Sequence, residues 1–338
     1  MSTTSTCLQL EKLQKTPTTF HQNLFSESIS DYSNYSNESR SESEPPSLTM
    51  TMLFLLFLHE GEILVKVLAV GLNPIDWKGP AFNFGIPSLP WINGRDLAGL
   101  VLHVPKGPSR LRVGDVVLVP STDYRDIRKA AFQEYAIAND FNAARIPSST
   151  SIHASASVGV AFVAAVLALG VSFGLDFSLI SQAPGPNLPN IIKRLDRTDI
   201  PTDIHEECFA SLLDSEKPQR GDWVAIWGAS TTTGLITLQL AKLARLRVIC
   251  VADAARHGAK LMQSGADLLV DRHDPDRAVE IIRGVTGGKL RYAIDMVGRD
   301  TATQLEKALN PDGHAHLLGL TGLPKQRNPG GTISHCAH

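Results

Sequence analysis

Cysteine is scarce in this chain: Cys7, Cys208, Cys250 and Cys336 lie far apart and form no Cys-x-x-Cys pair. That spacing argues against a disulfide framework and a sulfur-ligated structural zinc, and it fits a reducing, cytoplasmic compartment. Charge of one sign is lacking as well. Lys and Arg number 32 against 34 Asp and Glu, for a formal charge of −2, so no field is present to draw nucleic acid. Long apolar runs are also missing, since a membrane span needs roughly eighteen or more such residues. Met52 to Leu58 stops at His59-Glu60 and reads as a buried strand; Ala154 to Gly174, rich in Ala, Val and Ser, reads as a buried helix. A soluble protein with neither a membrane nor a nucleic-acid partner is expected.

What is present suffices for a large core. The 338 residues are 43% hydrophobic and 20% charged, which suits about two domains at roughly 150 residues each. Residues 1–58 are expected to be a disordered or atypical tail, because the first 50 hold 18 Ser or Thr and few aliphatics and cannot offset the entropy of ordering. From Glu62 the character changes. A strand of the mostly buried kind, Ile-Leu-Val-Lys-Val-Leu-Ala-Val, is followed by short strands at Gly99 to Val104 and Val116 to Pro120, punctuated by Gly and Pro. A β-rich domain over 59–150 is expected.

The second half alternates. Asp222 to Gly228 reads as a strand, Thr232 to Ala244 as a helix and Arg247 to Ala252 as a strand, a βαβ unit. The pattern continues with a strand at Asp267 to Val270, a helix at Pro275 to Arg283, a strand at Leu290 to Val297, a helix at Thr301 to Leu309 and a strand at His314 to Leu320. Such alternation builds a doubly wound parallel sheet, expected over 151–322, with 175–220 a Pro-, Asp- and Lys-rich surface connection and 323–338 an atypical tail.

In sheets of this kind a dinucleotide pyrophosphate lies on the helix that follows the first strand. That turn reads Gly228-Ala229-Ser230-Thr231-Thr232-Thr233-Gly234. Gly228 can make the tight turn and Gly234 the close approach of helix to sheet, while hydroxyl side chains and backbone N–H groups face a phosphate; the plainer alternative is a glycine turn with a Ser or Thr cap. At the end of the second strand, Asp253 would take a ribose hydroxyl, whereas Arg256-His257 would take a 2′-phosphate. Both signals are present, so the residues alone leave NADP(H) and NAD(H) open.

Five motifs follow in order: Gly71-Leu72-Asn73-Pro74-Ile75-Asp76-Trp77-Lys78, Gly94-Arg95-Asp96-Leu97-Ala98-Gly99, Val113-Gly114-Asp115-Val116-Val117, Ala131-Phe132-Gln133-Glu134-Tyr135 and the Ser-Thr-rich turn. In these residues the chain resembles the medium-chain dehydrogenase/reductase superfamily. Within it the chain is similar to the zinc-independent enoyl reductases, notably the fungal trans-acting enoyl reductases that work beside polyketide synthases. The resemblance implies an α/β fold, a GroES-like β-rich domain followed by a Rossmann domain. In the zinc alcohol dehydrogenases of this fold a Cys, a His and a second Cys hold the metal; here Asn73 stands in the first Cys place and Arg95 in the His place. A guanidinium keeps its protons and offers no lone pair, so no zinc is expected.

Without a Lewis acid to stabilise an alkoxide, an activated double bond is the expected acceptor. The reaction implied is hydride transfer from a reduced nicotinamide to the β-carbon of a C=C conjugated to a carbonyl, as in an enoyl thioester or enone, with protonation at the α-carbon. Donors aimed at the carbonyl oxygen would stabilise the enolate. Lys78 is either a surface lysine laying its stem along apolar residues or the side chain that faces the nicotinamide ribose or substrate, and the resemblance is read as the latter. Asp76 is expected to orient the loop or Lys78. Asn73 either contacts substrate or makes an Asn-Pro turn.

By the same resemblance Ser230, Thr231, Thr232 and Thr233 contact cofactor phosphates, and Ala254, Arg256 and His257 grip a 2′-phosphate. Arg272 replaces a tyrosine usual after the third strand, and Val297 with Gly298 lies beside the nicotinamide. NADP(H) is therefore favoured. A small or carrier-bound enoyl substrate and a polyketide synthase partner are implied. The family's opening hairpin and last Rossmann strand find no counterpart here, so a catalytically impaired nucleotide-binding remnant stands as one alternative and a quinone oxidoreductase as another.

Overall fold

Along Glu62–Gly71 the residues Ile63, Val65 and Val67 are buried while Lys66 is exposed, the period of a strand with one face on a core. The computed structural model describes residues 7–9, 58–82, 85–120, 123, 125–181, 184–209, 211–312, 314–320 and 333–335. Most of the expected tails, and the strand expected over Met52 to Leu58 apart from Leu58 itself, lie outside the described residues. The chain divides into two units, Met1–Val160 and Ala161–His338.

The first unit runs β1 (Cys7–Gln9), β2 (Glu62–Gly71), α1 (Pro74–Phe82), β3 (Asp96–His103), β4 (Val116–Pro120), β5 (Tyr135–Asn139), β6 (Ala144–Arg145), α2 (Ile152–Ala156) and the start of α3 (Gly159–Val166). Its sheet is antiparallel in the order β1-β2-β3-β4-β6, with β5 pairing the first half of β2. Ile63, Val65, Leu97, Val101, Val117, Val119 and Ala136 form its core, each fully buried Val, Leu or Ile contributing roughly 1.5–3 kcal/mol. Two differences from expectation stand out. The strand foreseen at Gly99 begins at Asp96, because that carboxylate is buried and hydrogen-bonded rather than solvated. The segment read as a tail supplies β1, whose residues Cys7, Leu8 and Gln9 pair with Gly71, Val70 and Ala69 and cover an edge of β2 that β5 does not reach.

The expected single helix over Ala154 to Gly174 is broken. Two short helices, α2 and α3, are followed by a π turn over Leu167–Ser172. The break falls where the Val160 N–H leaves helical bonding to donate to Asp96.

The second unit continues with α4 (Leu188–Ile192), α5 (His205–Phe209), β7 (Trp223–Trp227), α6 (Thr232–Leu243), β8 (Arg247–Ala252), α7 (Ala254–Gln263), β9 (Leu268–Asp271), α8 (Pro275–Thr286), β10 (Tyr292–Asp295), α9 (Arg299–Ala308), β11 (His316–Gly319) and β12 (Ile333–His335). All its strands are parallel, in the order β12-β11-β10-β7-β8-β9. The order reverses between β7 and β10, the switch point where such sheets bind ligands. Val224 and Ile226 face one apolar layer with Leu238 and Leu261, while Ala225 and Trp227 face the other with Ile282 and Leu305. The missing last strand is corrected: Ile333, Ser334 and His335 pair with Leu317, Leu318 and Gly319 and cover the edge of β11. The connection over 175–220 is no mere surface loop either, since Leu175, Phe177 and Ile180 enter the core. Farther along it, Glu216 accepts from Arg291 at 2.5 Å and lies within 3.2 and 3.3 Å of His314 and His316, while its carbonyl takes the Tyr292 hydroxyl at 2.7 Å.

Candidate functional site

In the first unit, Pro74 opens α1 and the sequence around it clasps itself. The Asn73 N–H donates to Asp76 Oδ2 at 2.7 Å, and the Asp76 N–H returns to the Asn73 carbonyl at 3.0 Å. From the next segment the Asn93 side-chain amide donates to the Asp76 carbonyl at 2.6 Å. The Asn73 Nδ2 donates at 3.0 Å to Asp96 Oδ2, and the Val160 N–H donates to both Asp96 oxygens at 2.8 and 3.1 Å. Asp96 is 0% exposed. Burial raises its pKa to about 7 despite the Asn73 and Val160 donors, with the Asp76 charge adding to the rise. Burial likewise raises Asp76 to about 6, against the Asn73 N–H and the charge of Arg95. Asp76 Oδ1 is buried with no partner among the described residues. Lys78 is half-buried, its Nζ 5.9 Å from the centroid of the exposed Trp77 ring. Thus Asn73, Asp76 and Lys78 sit on one helix start, tied by Asp96 to β3 and α3.

In the second unit, Gly228 has φ +81°, and a Cβ there would lie 2.8 Å from Val297 Cγ2. A Cβ on Gly234 would meet the Gly228 carbonyl at 2.5 Å. The two glycines therefore take the turn and close-approach roles their spacing suggested. Thr231 is the cap of α6, its Oγ1 accepting the Gly234 N–H at 3.0 Å. Ser230, Thr231 and Thr232 are exposed and Thr233 half-buried. The N–H groups of Thr232 and Thr233 find no partner among the described residues. An open cradle of backbone donors at a helix start, with no room for a side chain at its glycines, suits a pyrophosphate.

Across β10 the Asp295 carboxylate, 1% exposed, accepts the Val297 and Gly298 N–H groups at 3.2 and 2.7 Å. Burial raises its pKa, and its Oδ1 has no partner among the described residues. At the ends of β8 and β9, Asp253 caps α7 by accepting the Arg256 N–H, while Asp271 accepts the Ala254 N–H and both the N–H and the ring Nδ1 of His273. These donors, His273 first, hold Asp271 below the usual carboxylate range. Asp253, Ala254, Arg256 and His257 thus follow the carboxyl end of β8 and Arg272 that of β9, with the Arg272 N–H on the Ala252 carbonyl.

Comparison with known families settles what these two units are. An alcohol dehydrogenase GroES-like domain matches residues 59–148, and a zinc-binding dehydrogenase domain matches residues 232–335. The chain belongs to the medium-chain dehydrogenase/reductase superfamily. The chain is 32% identical over 263 residues to the trans-enoyl reductase grgB of a Penicillium species, covering 77% of this chain and 63% of grgB. It is 30% identical over 252 residues to the trans-enoyl reductase caaB of Aspergillus niger, covering 72% and 58%. The chain thus spans about three-fifths of the length of these relatives. Among solved structures, Escherichia coli quinone oxidoreductase complexed with NADPH shares the fold at a TM-score of 0.58 and 21% identity, covering 82% of this chain and 72% of that one.

Three carboxylates had no place in the sequence-derived site: Asp96, Asp271 and Asp295. Asp96 and Asp295 each stand beside an apolar strand segment, Leu-Ala-Gly-Leu-Val and Ala-Ile. A charge in such company must be hydrogen-bonded or neutralised, and that is the signal that marks them. Catalytic zinc does not fit this donor set, because the position of the metal-binding His holds Arg95 and the neighbouring Asn73 amide is engaged with Asp96.

Proposed function

We propose that the chain reduces an activated C=C bond, an enoyl thioester or enone, with NADPH, in the manner its relatives' name of trans-enoyl reductase suggests. The observation that carries this reading is the open Gly228–Gly234 cradle at the switch point of a sheet ordered like the Rossmann fold. When bound there, the dinucleotide supplies a hydride. The residues of the chain do the rest. Backbone N–H groups of Thr232 and Thr233 and the Ser230 hydroxyl hold the pyrophosphate on the positive end of α6. Val297 and Gly298, fixed by Asp295, flank the turn. Arg256, His257 and Arg272 accommodate a 2′-phosphate, which favours NADPH over NADH.

In the first unit Lys78 is the cation able to donate to a developing enolate oxygen, and an ammonium donor in a site poor in water is worth several-fold more than in bulk. Asp76 orients the first turn of α1. Chemistry without zinc follows from the Arg95 and Asn73 donor set. A polyketide-type acyl chain on a carrier, delivered by a synthase in the cytoplasm, is the substrate class that fits the relatives. Among the described residues no helix is long and apolar enough to cross a membrane.

The experiment is direct. The purified full chain is given NADPH with crotonyl or cinnamoyl thioesters while the loss of NADPH absorbance is followed, and NADPH binding is titrated separately. Thioester-dependent oxidation is expected. Binding without oxidation would replace the enzyme reading with a nucleotide-binding remnant, and oxidation by quinones alone would move the activity to quinone reduction, the reading favoured by the likeness to the Escherichia coli enzyme.

A further inference from the structure

Asn73 has one amide with two ends, and the structure commits one of them. Its Nδ2 donates to Asp96 Oδ2 at 3.0 Å; its Oδ1 takes no hydrogen bond from the described residues and the residue is half-buried. Asp96 is itself fixed by the Val160 N–H on both oxygens, and only a glycine at 159 leaves the carboxylate its place, since a Cβ there would lie 2.4 Å from its Oδ1. The charged groups acting on this pair are Asp76, on α1, which raises the pKa of Asp96, and Arg95, beside it in the chain, which acts on Asp76.

We propose that Asp96 is a positioning residue: while ionised it takes the Asn73 amide N–H, so that Asn73 presents its carbonyl oxygen to the bound ligand as an acceptor, and when Asp96 is protonated the presentation reverses. The reversal follows from donor counting. A carboxylate only accepts, so Asn73 must turn its nitrogen inward; a carboxylic acid held by Val160 on its carbonyl oxygen has one O–H left to donate, and Asn73 then turns its oxygen inward and its NH2 outward. The partner is therefore a hydroxyl or amide N–H, and Asn73 does not serve as a donor to an enolate while Asp96 is charged. Two sources carry such a group, a ribose hydroxyl of the dinucleotide and an amide N–H of a carrier thioester. The pKa of Asp96, near 7, places the reversal in the physiological range. The inference rests on the reduction proposed above and deepens it.

The test uses the full chain labelled with 15N at asparagine. The Asn73 side-chain signal, assigned by its absence in Asn73→Ala, is expected to titrate between about pH 6 and 8 in the wild type and to be flat in Asp96→Asn. In parallel, NADPH Kd and crotonyl-CoA KM are measured for Asp96→Asn, Asn73→Ala and the double variant at pH 8. Each single change is expected to raise one of the two constants about tenfold, with kcat altered less than threefold and the double variant no worse than either single one. A rise in NADPH Kd assigns the partner to the ribose, and a rise in crotonyl-CoA KM assigns it to the thioester. Additive losses, a flat wild-type titration, or unchanged constants in Asn73→Ala would overturn the proposal. Should Asp96→Asn not fold, the wild-type titration and Asn73→Ala still decide. A wild type that binds no NADPH sinks the proposed function instead, and leaves the amide titration to judge the Asp96–Asn73 coupling alone.

Discussion

The buried carboxylates around Asn73 in the first unit and the donor-rich ones at the edges of the second have been set to opposite tasks. In the first unit burial drives Asp76 and Asp96 toward neutrality, to about 6 and about 7. At the exposed edges of the second, hydrogen-bond donors hold Asp271 and Glu216 below their usual range, His273 leading at Asp271 and His316 at Glu216. One residue class thus yields groups that exchange protons near pH 7 and groups that remain fixed charges, and desolvation against donor supply decides which. Asp295 is the exception within the second unit: burial prevails there as it does at Asp96, beside the loop that holds Val297 and Gly298.

The largest expected effect is on stability against pH. A carboxyl whose folded pKa is raised stabilises the fold below its unfolded value near 4 and loses that contribution as pH climbs through the folded value. The β3 peptides should therefore become more protected from hydrogen exchange, after correction for intrinsic rates, as pH falls from 8 to 5. Across that window the gain is on the order of 3 kcal/mol for Asp96 at ~1.4 kcal/mol per tenfold, the remainder coming below pH 5. For Asp271 and Glu216 the sign is opposite, so peptides around β9 and β11 should loosen only as pH falls below the unfolded value near 4 toward their lowered folded values. Asp96→Asn should flatten the first trend and spare the second; equal response of both units would erase the contrast.

Next comes Gly234→Val, where the new side chain meets the Gly228 carbonyl and Ala229. NADPH binding should weaken about a hundredfold, near 2.7 kcal/mol, while protection of β3 peptides stays as it was. A Ser230→Ala, Thr231→Ala double change should cost roughly 1–2 kcal/mol of NADPH affinity for lost hydrogen bonds to a charged group, read by fluorescence titration; unaltered affinity would remove the turn from the site. The smallest effect belongs to Asp271→Asn, which removes a fixed charge while keeping an acceptor for the Ala254 N–H. The ratio of NADPH to NADH affinity should rise about threefold at low salt and less at high salt, since exposed charges are screened.

Much of the second unit was legible because its strands and helices announce their periods. Val224–Ile226 and Val248–Val251 are continuous apolar runs between helices with buried stripes, and the Gly228–Gly234 spacing names its own turn. The first unit's site was half legible. Asn73, Asp76 and Lys78 are close in sequence, whereas Asp96 meets them only through a strand 23 residues beyond Asn73 and a backbone N–H 64 residues beyond itself. Such partners leave no local mark. Strands β1 and β12 were missed for a related reason: each is three residues long, too short for a period, and formed by the open edge it covers.

The stretch between α3 and β7 spans residues 167–222. It is moored at both ends, by Leu175, Phe177 and Ile180 in the apolar layer and by Glu216 on Arg291, His314 and His316. Changing the length of chain between two fixed moorings costs little, because closure entropy grows only slowly with added residues. Residues 193–202, exposed for the most part, are thus where this scaffold can absorb an inserted reporter or an affinity handle while both moorings hold.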